Sequence, residues 1–142
     1  MHKNVLLPVD LNEDSSWRVA LPKAVGYCRA FKATLHLMTV LPDLGMPIVA
    51  QYFPEDYLER ATADAKAKLE ELSAKHVPAG IKVDHRVAHG TIYREILDAA
   101  ANLGCDLIVM ASHRPELEDY LLGPNAARVV RHATCSVLVV RG

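Results

Sequence analysis

"CDLIVMASHRPELEDYLLGPNAARVVRHATCSVLVVR", residues 105–141, holds two apolar runs, CDLIVMA (105–111) and SVLVVR (136–141). A short apolar run bounded by turn-forming residues reads as a strand covered on both faces, the habit of a parallel sheet. Parallel neighbours need a crossover, and NAARVVRHA (125–133) has the apolar spacing of a short helix to supply it. Gly123 is placed to cap that helix, and Pro124 to be its first residue, where a missing N–H costs nothing. The segment reads strand, loop, helix, strand.

The alternation continues towards the N-terminus. NVLLPV (4–9) and ATLHLMTV (33–40) read as buried strands, and KVDHRVAH (82–89) as an alternating one. Trp17, Leu21, Ala24, Cys28 and Phe31 mark one apolar face of a helix from Asp14 to Phe31. Pro22 lies inside that span, removes the hydrogen bond to the Arg18 carbonyl, and predicts a kink or an irregular first turn. Leu58, Ala61, Ala65, Leu69 and Leu72 form the stripe of a helix from Glu55 to His76, with Lys66/Glu70 and Glu71/Lys75 spaced to pair on its wet face. After Gly90, Ile92, Ile96, Ala99 and Leu103 turn inward on a third helix, with Thr91 as its N-cap and Gly104 as its stop. Residues 41–55 carry Pro42, Pro47, Pro54 and Gly45 and read as a long loop. The order βαβαβαβαβ implies an open α/β fold, a five-stranded parallel sheet with helices on both faces, in one domain over residues 1–142. Ligands of such sheets sit at the carboxyl ends of strands, where the strand order reverses. Asp10, Val40 and the 111–115 loop all stand at such ends.

Composition removes several functions. The 142 residues are 51% hydrophobic and 23% charged with a formal net charge of −1, which suits a globular chain and gives no basic face for nucleic acid. No apolar run approaches the roughly 18 residues of a membrane span. The opening MHKNVLLPVD is too short to be a signal peptide, so a cytoplasmic protein is expected. Cys28, Cys105 and Cys135 are far apart, odd in number and in apolar contexts, and read as buried reduced thiols.

Few residues offer chemistry. Asp10 is either a turn acid or a partner for a ribose or metal at the strand end. A phosphoacceptor role is disfavoured because strand three ends Val87-Ala88-His89 without an aspartate. His85 and His89 lie about 13 Å apart on a strand, too far to share one ion. Ser112 and His113 are adjacent and diverge, with no nucleophile elbow, and neither a phosphate loop of the G-x-x-x-x-G-K-[ST] type nor a GxGxxG fingerprint occurs. Gly123-Pro124-Asn125 could present the free N–H groups of Asn125 and Ala126 to an anion, with His113 and Arg114 adding charge. The same residues suit a plain capped helix equally well.

The chain resembles the universal stress protein family. The resemblance runs through VLLPVD, LHLMTV, HGTIYREILDAA and VVRHATCSVLVVR, and is specific in ASHRP, YLLG and VVRHA, shared with a bacterial branch. It implies a Rossmann-like adenine-nucleotide-binding fold of sheet order 3-2-1-4-5. It places adenine and ribose near Pro8, Val9, Asp10, Val40 and Met110, and phosphates near Ser112, His113, Arg114, Gly123, Pro124 and Asn125. The family's nucleotide binders carry G-x2-G-x9-G-[ST]. Here Ala111 and Arg114 stand at the first two glycines, the spacer is one residue short, and Pro124 replaces the hydroxyl residue, so a donor pair is lost and the Arg114 guanidinium stands in its place. The resemblance implies a regulator that binds ATP or another adenine nucleotide, with or without Mg2+, and turns it over slowly or not at all. The alternative is a nucleotide-free module of the same fold that regulates a partner such as a membrane transporter. The last strand, all apolar from Val137 to Val140, lies at a sheet edge in this order. It implies a homodimer, with a dimer of dimers through the 44–54 loop as the further assembly.

Overall fold

Two helical layers enclose one sheet in the computed structural model, which describes residues 2–42, 56–112 and 123–141. The strands are β1 (Asn4–Pro8), β2 (Thr34–Leu41), β3 (Val83–His89), β4 (Leu107–Ala111) and β5 (Ser136–Val140). All four pairings are parallel, and the order is β3-β2-β1-β4-β5, as expected. The helices are α1 (Ala20–Phe31), α2 (Tyr57–His76), α3 (Ile92–Asn102) and α4 (Gly123–His132).

Side-chain alternation along the strands divides the core. Val5, Leu7, Leu35, Leu37, Leu107 and Val109 face the layer that receives Leu21, Ala24 and Cys28 of α1 and Ala65, Leu69 and Leu72 of α2. Leu6, Met38, Ile108 and Met110 face the other layer, with Ile96 and Ala99 of α3 and Ala126 and Val129 of α4. Burying each of the larger aliphatic side chains contributes about 1.5–3 kcal/mol. The edge strands β3 and β5 are mostly half-buried or exposed, with Val140 buried at the end of β5, whereas β1, β2 and β4 are buried almost throughout.

Several boundaries differ from the sequence reading. The first helix does not run from Asp14. Asp14–Ser16 form a 3-10 turn and α1 starts at Ala20, so Pro22 falls in its first turn and kinks nothing. Trp17 therefore lies outside α1, its ring centroid 4.8 Å from that of His76. Phe31 and Leu58, expected inward, are exposed. Thr91 occupies the N-cap of α3 but makes no side-chain capping bond. Gly104 ends that helix with φ +64°, and Gly90 turns the chain with φ +138°, a conformation that a side chain resists. Of the two α2 pairs, Lys75–Glu71 closes at 2.8 Å. Cys28 and Cys105 are buried and Cys135 is half-buried, all as free thiols. Burial pushes the Cys28 thiol up to about 11. Burial, with Cys135 and Asp106 alongside, pushes Cys105 up to about 12.

Candidate functional site

Helices α1 and α4 leave β1 and β4 towards opposite faces of the sheet, so the carboxyl ends of these neighbours mark the switch point of the fold. The two ladders of β1 differ in length. The β1–β2 ladder runs through five pairs, from Asn4↔Thr34 to Pro8↔Met38, and goes on as the Val9 N–H donates to the Met38 carbonyl at 2.8 Å. The β1–β4 ladder has two pairs, Val5↔Leu107 and Leu6↔Ile108. In a strand with two neighbours, successive N–H groups point to alternate sides. Residue 9 donates towards β2, so residue 8 would donate towards β4, and Pro8 has no N–H to give. The ladder ends there, at the switch point where an open α/β sheet takes its ligand.

Asp10 lies at the floor of this edge, 4% exposed. The turn that follows is wound on Ser16. The Asp10 N–H donates to Ser16 Oγ at 2.9 Å, and the Ser16 hydroxyl donates towards the carbonyls of Glu13 at 2.7 Å and Asp10 at 3.0 Å. Asp10 Oδ1 accepts from the Asn12 N–H at 2.9 Å. Thr39 Oγ1 donates to the Val9 carbonyl at 2.9 Å, which fixes β2 beside the turn. The 3-10 turn touches β4. Within it, Ser15 Oγ is buried with no hydrogen-bond partner among the described residues. The sequence reading missed Ser15 and Ser16, because nothing in LNEDSSW distinguishes one hydroxyl from the next.

Pro8, Val9, Asp10, Val40, Met110 and Ala111 are all buried along this one edge. Ser112 follows directly, its N–H donating to the Val140 carbonyl at 2.7 Å. Gly123 and Pro124 lie in α4, and Asn125 is half-buried beside them. His113 and Arg114 lie outside the described residues, as does the 44–54 loop.

Other sequence candidates fall elsewhere. His85 is held by Ser73, with Oγ and Nε2 2.7 Å apart. Among the described residues no group of three or more His, Cys, Asp or Glu side chains could hold a metal ion. None of the described helices is long and apolar enough to cross a membrane. At the opposite, amino edge, His36 bridges three strands, with Nδ1 3.1 Å from Asp84 Oδ2 and Nε2 2.9 Å from Asn4 Oδ1. There Asp106 Oδ2 accepts from the Lys3 N–H at 2.8 Å and Oδ1 from the Asn4 N–H at 3.3 Å.

A family model described as the universal stress protein family matches residues 1–141. The chain belongs to the universal stress protein family. Universal stress protein G of Escherichia coli O157:H7 is 29% identical over 144 residues, 99% of this chain and 100% of its own. A solved structure of the protein MJ0577, a universal stress protein of Methanocaldococcus jannaschii, superposes with a TM-score of 0.73 at 28% identity, covering 100% of this chain and 97% of that one. Two further structures share the fold. A family protein of Arabidopsis thaliana with AMP bound has a TM-score of 0.67 at 19% identity, covering 98% and 91% of the two chains. A universal stress protein in complex with cAMP has 0.61 at 23%, covering 99% and 97%.

Proposed function

We propose that the carboxyl edge binds an adenine nucleotide, with ATP as the expected ligand, and that the chain is a cytoplasmic regulator built as one universal stress protein domain over residues 1–142. The observation that carries this reading is the switch point beside Pro8, where the β1–β4 ladder stops after two pairs while β1–β2 runs on, with Asp10 buried at the strand end. The residues fit the ligand in parts. Val9, Val40 and Met110 offer apolar walls to a base. Asp10 uses one acceptor site on Asn12 and, as a carboxylate, has more for ribose hydroxyls. Ser112, Asn125 and the opening of α4 at Gly123-Pro124 offer donors to phosphate, joined by His113 and Arg114. The family members solved with AMP and with cAMP support the choice of an adenine nucleotide. Mg2+ would be carried by the phosphates rather than by a dedicated cage, and no described side chain is placed to activate water, so turnover is slow at most.

Assembly follows from β5. Among the described residues no strand lies beyond its outer edge, and Val139 is 39% exposed. A second copy pairing antiparallel about a two-fold axis covers it. Val140 is buried in the core and Leu138 half-buried, so Val139→Lys is the probe that spares the fold, and it is expected to leave monomers in sedimentation.

Calorimetry and thermal melting with ATP, AMP, adenosine and inorganic triphosphate test the ligand. Adenosine compounds are expected to bind and raise Tm, since a ligand at 100 times its Kd adds about 2.7 kcal/mol. Neither heat nor a shift with millimolar ATP would reject nucleotide binding in favour of the nucleotide-free module that regulates a partner such as a transporter.

A further inference from the structure

Tyr93, in the first turn of α3, stands at the centre of basic groups drawn from two helices. The guanidinium carbon of Arg128, on α4, lies 5.2 Å from the ring centroid, and that of Arg94 lies 5.8 Å from it. Arg94 Nε also donates to Tyr93 Oη at 3.2 Å. The His132 ring stacks on the same phenol, with centroids 6.3 Å apart and planes 29° from parallel. Arg131 follows Arg128 at the i+3 position, on the same side of α4. Tyr93 is half-buried, and the four basic residues are exposed.

What sets this cluster apart is that several cations without an ion pair among the described residues gather on one ring. Arg18, Arg60 and Lys75 each have a carboxylate one turn away within 3.4 Å. Among the described residues Arg94, Arg128 and Arg131 form no ion pair, and α4, GPNAARVVRH, contains no acid at all. Asp98 acts on Arg94 electrostatically from one turn along α3 without pairing with it. Two guanidiniums gathered on one ring repel each other until an anion joins them. A guanidinium held against an aromatic ring keeps its planar fork in place, the shape that a carboxylate meets with two parallel hydrogen bonds.

We infer that the α3/α4 surface around Tyr93 is a docking site for an acidic protein segment, whose Asp or Glu carboxylates pair with Arg94 and Arg128 across the ring. Single-stranded nucleic acid fits less well. It needs open aromatic faces for its bases and a longer basic track for its backbone, whereas this ring is already engaged and the chain carries a net charge of −1. A bilayer needs an apolar face to insert, and α4 exposes one large apolar side chain, Val130.

The test is fluorescence anisotropy of a labelled peptide of Glu, Asp and Gly with the full chain, at low and at physiological ionic strength. The peptide is expected to bind, more weakly as salt rises. Arg94→Ala with Arg128→Ala is expected to weaken it at least ten-fold. Arg29→Ala with Arg60→Ala, the same loss of charge placed elsewhere, is expected to leave it unchanged. Arg94→Lys with Arg128→Lys keeps charge and fold and is expected to cost about three-fold, because the fork is lost. Absence of peptide binding, or equal loss in the two alanine pairs, would overturn the proposal. So would tighter Arg94- and Arg128-dependent binding of oligouridylate or of phosphatidylserine vesicles, which would assign the surface to RNA or to membrane.

Discussion

At the amino edge of the sheet, side chains cross from strand to strand, His36 touching Asn4 and Asp84 while Asp106 receives two backbone N–H groups of the β1 segment. At the carboxyl edge Ser16 turns back into the Asp10 turn, a single side-chain bond crosses between strands, from Thr39 to the Val9 carbonyl, and no rung joins Pro8 to β4. The first edge spends its polar groups on register, which a one-residue slip would destroy. The second ends its β1–β4 pairing after two rungs and carries Val40 and Met110 as buried apolar strand ends. If the carboxyl edge binds as proposed, one sheet separates the work of staying folded from the work of binding, and a substitution at either edge should move one property and spare the other.

The largest expected effect is at the amino edge. His36→Ala leaves the Asp84 and Asn4 side chains without their shared partner and opens a void between strands, a loss of about 2–4 kcal/mol. Urea unfolding measures it, and nucleotide affinity should hold; a variant within 0.5 kcal/mol of wild type, in the same ~2–4 kcal/mol frame, would erase the contrast. Next comes Arg114→Ala. A charge-assisted hydrogen bond to phosphate contributes about 1.5–3 kcal/mol, so ATP should weaken ten-fold or more while adenosine and Tm stay put. Equal losses for both ligands would remove Arg114 from the phosphates.

Pro8→Ala sharpens the comparison further. It supplies the donor that the β4 side lacks, and the gained bond of about 1 kcal/mol is offset by the freer unfolded chain, so stability should barely change. Hydrogen exchange should show a protected amide at residue 8, and nucleotide affinity should fall about three-fold as the strand ends draw together. An unprotected amide there would show that Pro8 is not what parts the strands. The smallest effect belongs to Asp106. Burial pushes its pKa up, but the N–H groups of Lys3 and Asn4 and its own outweigh that and hold it below the ordinary value. A depressed carboxylate adds stability above its unfolded pKa, about 3.9, that is lost as pH falls through the folded value. Asp106→Asn should therefore flatten the stability profile below about pH 4. With the side chain 38% exposed, solvent screening limits the change to a few tenths of a kcal/mol.

The strands were legible because β1, β2 and β4 are predominantly apolar, a pattern that a sheet covered on both faces demands, while their order came from the resemblance to the family. Where Asp10, Val40 and Met110 would meet was legible for the same reason, since strand order alone brings their ends together. The start of α1 was not. Trp17 sits at helical spacing from Leu21, yet Ser16 draws the preceding chain into a turn through hydrogen bonds that no periodicity records. His36 was equally silent, because a histidine inside LHLMTV shows its value only when strands on either side deliver Asn4 and Asp84. His85 tempted a metal reading through its spacing from His89, but the neighbour that uses it, Ser73, is on a helix before the strand.

The buried thiols lie on opposite sides of the sheet, Cys28 on the inner face of α1 and Cys105 in the layer of α3. With pKa values of about 11 and about 12, fewer than roughly one in a thousand of either is thiolate at neutral pH, and a maleimide or iodoacetamide waits for the layer above to lift. The native chain therefore carries two clocks. The rate at which each cysteine is alkylated times the opening of its own helical layer, and mass spectrometry of the two peptides reads them separately in a single tube.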